Sequence, residues 1–275
     1  MFRGGAGCTL SYIVHDTERI PTKIMHTSGS EWPESAGIAG GGPSQTNQFI
    51  IKRKTDVRKR MAAGEVPQEL AELSGDWDIQ KVIAWSHLDH DDVYQVRTQS
   101  GGGYGDPLDR DPARVLEDVR SGVVSPGGAT HTYGVVIDVA ADAVDEAGTE
   151  RARAAARKHR RDHAKPVDAS VRGRKAAPLS GRSVNEFLRV VRDGGSAVIQ
   201  CTCGQILTDA SRNFKDGTLM EEGLVKEAGP YVNQFDVAQR FVYRQFYCPG
   251  CLRRLETEVC LKEEPVLHDV EVTPE

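Results

Sequence analysis

Cys201-Thr202-Cys203-Gly204 and Cys248-Pro249-Gly250-Cys251 decide how this chain is read. A C-x-C and a C-x-x-C, separated by residues 204–247, bring four thiolates to one place, which is what a closed tetrahedral zinc site requires. Gly204 and Gly250 allow the sharp backbone turns that let amides face the sulfurs. Closed four-cysteine sites are structural rather than catalytic, and thiolates held by a metal are not free nucleophiles. The alternative is four buried or free thiols, or a disulfide. The remaining cysteines, Cys8 and Cys260, read as small core residues.

Apolar, strand-like runs lead into both pairs: Val198-Ile199 into the first and Phe241–Tyr247 into the second. Leu255–Leu261 supplies a closing strand. Upstream, Ser183-Val184-Asn185-Glu186 has the form of a capping box. Val184, Phe187, Leu188 and Val191 follow at helical spacing, with Gly194 as a stop. Residues 183–275 are therefore expected to form a small β-rich zinc-binding domain with one leading helix, stabilised by its metal.

The preceding residues are of another kind. Glycine clusters at Gly40-Gly41-Gly42-Pro43 and Gly101-Gly102-Gly103 punctuate short β-like runs at 10–14, 49–51, 82–85 and 93–98. Asp111-Pro112 starts a helix with Val115, Leu116 and Val119 as its apolar stripe, Arg114 and Asp118 as an i,i+4 pair, and Gly122 as its stop. Ser125-Pro126 starts another, and 133–139 reads as a strand. Residues 149–158 favour a helix with almost no large apolar side chain, expected to be a solvated or partner-facing arm. A basic linker follows at 165–182. The whole is α+β: a β-rich N-terminal region with short helices, then the zinc domain.

With 275 residues, 39% hydrophobic and 27% charged, the chain has room for about two ordinary globular domains. A net charge of −5 argues against a polyanion binder, although the basic helix and linker (Arg151 to Arg182) keep open a zinc-ribbon interaction protein that grips nucleic acid. No apolar run reaches the ~20 residues of a membrane span. Met1–Gly7 has no apolar core of a signal peptide, so the cytoplasm is the expected compartment. With no cap ahead of the 10–14 strand, the chain reads as if it begins inside a domain.

Two further clusters are candidate sites. Gly101, Gly102, Gly103, Tyr104 and Gly105 can present successive amides as an anion nest, or form a tight turn into the Asp111 helix. They lack the Gly-Lys-Ser/Thr ending of a nucleotide loop. His87-Leu88-Asp89-His90-Asp91-Asp92 offers nitrogen and oxygen ligands to a second metal, or a polar turn before the 93–98 strand. His268-Asp269 offers a ligand or an acid/base pair, or a solvated tail.

The motif around Gly101–Pro107, with 109–112, 115–116, 118–119, 122–125 and 133–136, resembles the C-terminal part of the hydantoinase B/oxoprolinase family over roughly residues 1–160. Arg3–Gly7 and Gly40–Pro43 fit its upstream segments. Cys201-x-Cys203-Gly204, Asn213-Phe214-Lys215, Cys248-Pro249-x-Cys251, Leu255-Glu256 and 267–270 resemble the small γ subunit of acetone and acetophenone carboxylases. The resemblance implies a hydantoinase B-like domain at 1–164, the linker at 165–182 and a γ-like zinc domain at 183–275.

It also implies an accessory subunit of an ATP-dependent carboxylase complex, completing a split hydantoinase B-like subunit. Structural Zn2+ would sit on Cys201, Cys203, Cys248 and Cys251. ATP and a catalytic divalent metal would be carried by partners: a hydantoinase A-like ATP-binding subunit and the N-terminal part of a hydantoinase B-like subunit. The alternative is a subunit of an ATP-dependent hydantoinase or oxoprolinase-type cyclic amide hydrolase.

Overall fold

A computed structural model describes residues 1–272 except 17, 18, 21, 31 and 230–239. In chain order the first part carries β1 (Thr9–Tyr12), β2 (Ile24–Thr27), β3 (Gln48–Arg53), α1 (Val57–Ala62), β4 (Asp76–Gln80), β5 (Ala84–His87) and β6 (Val93–Arg97). Then come α2 (Pro112–Arg120), α3 (Pro126–Tyr133), β7 (Ile137–Asp138), β8 (Ala143–Val144) and α4 (Glu146–His163). The rest carries β9 (Lys165–Pro166), β10 (Arg174–Lys175), β11 (Arg182–Ser183), β12 (Leu188–Asp193), β13 (Ser196–Cys201), β14 (Gln205–Asp209), β15 (Leu219–Leu224), β16 (Phe241–Tyr247) and β17 (Arg254–Leu261).

The first sheet is antiparallel, in the order β1-β6-β3-β4. β3 is central, and its continuous apolar run Phe49-Ile50-Ile51 serves both faces because successive side chains point opposite ways. Phe49 and Ile51 pack with Met25, Val82 and Tyr94 beneath the β2–β5 ribbon. Ile50 packs with Val57, Leu70, Leu73 and Val93 beneath α1.

The helix signals at Asp111 and Ser125 hold. Asp111 accepts from the Ala113 amide at 2.9 Å and Ser125 from the Gly128 amide at 3.0 Å. The expected Arg114–Asp118 pair does not form. Asp118 instead accepts from Arg110 at 2.6 Å and Arg3 at 3.0 Å, while Arg114 lies over the Phe2 ring. The strand expected over 133–139 shrinks to β7, because Tyr133 completes α3 and Gly134 closes it at φ +60°.

The C-terminal half is two antiparallel sheets, β10-β14-β13-β12-β11 and β17-β16-β15-β9. The leading helix is absent: Leu188–Asp193 is strand β12, paired with β13 along its whole length. Asn185 accounts for the difference. Its side chain accepts from the Phe187 and Leu188 amides at 2.8 and 2.9 Å, making an Asx turn where a helix cap was expected, and Val190 and Val191 then favour extended backbone. Nor is 165–182 a free linker, since β9, β10 and β11 pair with β15, β14 and β12.

The principal core joins both halves. Ala39 is buried with Phe187, Leu188, Ile199, Leu207, Phe214 and Leu255, and Met1 and Tyr104 pack against that cluster. Helix α4 is not a solvated arm. Arg153, Arg157 and Arg160 share one face and bind the Tyr133 carbonyl, Asp109 and Asp106 respectively, so the helix is held by a polar stripe instead of an apolar one. No helix among the described residues is long and apolar enough to cross a membrane.

Candidate metal centre

Strand β13 delivers Cys201 to its last position, and the chain turns at once. The Gly204 amide donates to the Cys201 carbonyl at 2.8 Å, with Gly204 at φ +93°, and a Cβ there would lie 2.1 Å from the Ala176 carbonyl oxygen. β16 ends one residue before Cys248. There the Leu252 amide donates to the Cys248 carbonyl at 2.8 Å, and Leu252 itself takes a left-handed conformation at φ +60°. Two similar tight turns thus face each other.

All four Sγ atoms lie within 4.8 Å of one another. Cys201 and Cys251 stand 3.9 Å apart, Cys203 and Cys248 3.6 Å. A tetrahedron with metal–sulfur bonds of about 2.3 Å has edges of about 3.8 Å, so the thiols already have the spacing of ligands. All four are free thiols, with Cys201 and Cys248 buried. Hydrogen bonding to Cys201 and Cys251, together with burial, pushes Cys248 up, and Cys201 is pushed up to about 12. Cys251, accepting from Cys201 and Cys248, is held down at about 2. The site therefore fits a metal ion, and the described residues assemble no second such group of His, Cys, Asp and Glu.

Charged side chains tie this centre to the N-terminal half. Arg253 lies 4.6 Å from the Phe187 ring, donates to Thr202 Oγ1 at 3.3 Å, and reaches Asp109 at 2.6 Å. Burial alone would lower its pKa; the Asp109 carboxylate and the nearby Cys251 and Cys201 raise it instead. With a divalent ion bound by four thiolates, a cation at this position would offset the excess negative charge. Asp106, fully buried, accepts the Leu108 and Arg254 amides and both arms of Arg160; Arg160 in turn donates to the Leu252 carbonyl at 2.8 Å. The cysteine turn thus hangs from the residue that ends the Gly-rich motif.

The glycine run is a crossing point of backbones. The amides of Gly101, Gly103, Tyr104 and Gly105 donate to the carbonyls of Gly5, Gly42, Phe2 and Ile38. Cβ atoms at Gly4 and Gly41 would lie 1.9 Å from the Gly101 and Gly103 oxygens. Four of the five candidate amides are therefore occupied within the chain and do not form an open nest.

The 87–92 cluster is a structural turn. Asp92 accepts the Asp89 and Lys54 amides and pairs with Arg53 at 2.8 Å, while the His87 and His90 carbonyls accept from Arg53 and Arg58. His268 is exposed, and its neighbour Asp269 pairs with the wholly buried Lys215 at 2.8 Å. Lys215 also holds Glu258 at 2.7 Å and the Leu267 carbonyl at 3.2 Å, which gives Asn213-Phe214-Lys215 the task of fastening the C-terminal tail. Sequence reading gave Asp106, Asp109 and Lys215 only as members of family motifs, with no buried ion pair assigned to them, and missed Arg160. The 153, 157, 160 spacing on α4 was the visible signal for the arginines; nothing local marks their pairing with Asp106.

Comparison with known proteins agrees with the two-part reading. Residues 1–107 match the hydantoinase B/oxoprolinase family, and residues 183–275 the acetone carboxylase gamma subunit family. The first match ends at 107, short of the roughly 160 residues expected. The acetone carboxylase alpha subunit of Xanthobacter autotrophicus is 32% identical over 204 residues, covering 65% of this chain and 25% of that protein. The acetophenone carboxylase delta subunit of Aromatoleum aromaticum is 30% identical over 181 residues, 61% of this chain and 26% of that one. The caprolactamase subunit beta of Pseudomonas jessenii is 60% identical over 55 residues, 20% of this chain and 9% of that one. The chain spans about a quarter of the length of the two carboxylase subunits. It joins a segment that matches the hydantoinase B/oxoprolinase family to one that matches the acetone carboxylase gamma subunit family, with a four-cysteine cluster fit for a metal in the second part.

Proposed function

We propose that this chain is a non-autonomous, cytoplasmic subunit of an ATP-dependent carboxylase complex acting on a ketone-like substrate. The observation that carries the reading is the sharing of one core by the two matched segments, with the cysteine centre latched to the glycine-rich half through Asp106 and Asp109. Zn2+ on Cys201, Cys203, Cys248 and Cys251 has a structural role, since four protein sulfurs leave no open position for substrate. In this reading the chemistry falls to partners. These are a hydantoinase A-like ATP-binding subunit and a chain supplying the rest of the hydantoinase B-like fold, which carry ATP and a catalytic divalent metal.

The test is reconstitution with those partners, following ATP- and bicarbonate-dependent loss of acetone or acetophenone with and without this chain. Full activity in its absence removes the proposal. A second reading rests on the 60% identity to a caprolactamase subunit over 55 residues: a subunit of an ATP-dependent cyclic amide hydrolase. Turnover of a lactam without bicarbonate selects it. The gamma-type segment favours carboxylation.

A further inference from the structure

Exposed large apolar side chains are unevenly spread over this chain. Among the described residues, twelve lie within 1–107 and two within 183–275. The gamma-type part presents a finished polar surface; the hydantoinase B-type part does not. The densest run lies between β4 and β5, where Trp77 is 51% exposed, Ile79 65%, Ile83 73% and Trp85 73%. Ile24, 54% exposed, pairs with His87 on the same outer face of the β2–β5 ribbon, where His26 pairs with Trp85. Four such side chains in nine residues exceed the scattered apolar exposure of an ordinary surface.

The two tryptophans are braced. The ammonium of the almost fully buried Lys52 sits 4.1 Å from the Trp77 ring centre, and the His26 ring lies 4.5 Å from that of Trp85. Rings held in place lose little freedom on binding, which is the character of interface anchors. β4 also ends its sheet, with β3 on one side and no strand on the other among the described residues. An open edge beside fixed aromatics is a template for strand addition.

We propose that the free edge of β4 and the outer face of the β2–β5 ribbon dock a hydantoinase B-like polypeptide, the part of that fold which this chain does not span. The occupant follows from where the patch lies. It is confined to the segment whose relatives are about four times longer than this chain's share of them, so chain of that family is what their size leaves to cover it. The inference rests on the subunit reading above and adds its surface.

The test uses the full chain, co-expressed in turn with each hydantoinase B-type polypeptide of its own genome and isolated through a tag on this chain. The expected result is a complex in which hydrogen exchange slows at 24–27 and 76–87. Trp77→Glu and Trp85→Glu should each weaken it about thirtyfold, as loss of an anchor of ~2 kcal/mol requires, while Val139→Glu leaves it unchanged. Unaltered metal content and circular dichroism confirm that the variants fold. A complex lacking that protection and indifferent to both substitutions overturns the surface and leaves the subunit reading standing. Protection of 24–27 and 76–87 in the isolated chain, with dimerisation, assigns the face to a second copy and also overturns it. Binding to none of those polypeptides removes the subunit reading and the surface together.

Discussion

Asp106 holds Arg160 with both carboxylate oxygens, 54 residues along the chain and fully out of solvent. One oxygen also accepts the Arg254 amide and the other the Leu108 amide, so four donors converge on a single carboxylate. The pair clamps α4 between the glycine-rich half and the cysteine turn. Burial alone would raise the Asp106 pKa, but the Arg160 hydrogen bonds and the charges of Arg160 and Arg254 outweigh it and hold the carboxyl below its ordinary range.

Asp106→Ala is accordingly expected to cost about 3–5 kcal/mol, because it strands a buried guanidinium. The folded pKa is depressed, so this contribution is fully present above the unfolded value of about 3.9 and lost as pH falls through the folded one. Denaturant titrations should show a constant gap between wild type and variant from pH 5 to 7 that narrows below pH 4. A gap that widens in acid contradicts the assignment.

Cys201→Ser or Cys248→Ser should abolish stoichiometric metal and melt the C-terminal sheets at ambient temperature, since thiolate–metal binding supplies folding free energy to small sites of this kind. Cys8→Ser should change neither, since Cys8 is exposed and outside the cluster, not the core residue expected; Cys260 is buried as expected. Elemental analysis and circular dichroism report the two outcomes separately. Retention of metal by the Cys201 and Cys248 variants would contradict this centre.

Lys215→Met takes the close 2.7 Å ion pair from buried Glu258, leaving it only the longer 3.7 Å contact with Arg244, and unfastens the tail at Leu267 and Asp269. A loss of about 3–5 kcal/mol is expected. Limited proteolysis should cut within 262–272 faster than in wild type. Lys215→Met combined with Glu258→Met should be less damaging than the single change, because the buried carboxylate goes with its partner and Arg244 keeps Glu222 at 3.0 Å.

Glu256 behaves in the opposite sense to Asp106. Burial pushes its carboxyl up to about 7, despite the Thr257 amide it accepts. A raised folded value means ionisation works against the fold: the penalty is absent below the unfolded value of about 4.3 and complete above about 7. Glu256→Gln should match wild type at pH 4 and exceed it by about 1–3 kcal/mol at pH 8 in chemical denaturation. Equal stability at both pH values would refute this.

Gly41→Ala would push a methyl group to 1.9 Å from the Gly103 carbonyl, and neither backbone is free to move. A cost of about 1–3 kcal/mol is expected, read as a lowered melting temperature. Gly64→Ala places its Cβ in open space, so any cost there comes from its φ of +80° alone.

Whatever depends on short spacing was legible in the chain alone. Both cysteine turns, the Asp111 and Ser125 helix starts and the strands at 49–51, 93–98 and 241–247 follow from residues within one or two turns of each other. Where two local signals competed, the chain alone was misleading. At 183–191 helical spacing and a capping box opposed an Asn turn and paired valines, and the β13 partner strand decided the outcome. The glycine run shows the same limit. Its freedom to form a nest is visible in composition, but its amides were taken by Gly5, Gly42, Phe2 and Ile38, all four of them about 60 to 100 residues away. The arginine stripe of α4 looked solvated because its carboxylate partners, Asp109 and Asp106, lie 48 and 54 residues away in sequence. Long-range pairing of buried charge carries no local pattern, so only the tertiary structure could join Asp106 to Arg160 and Arg254.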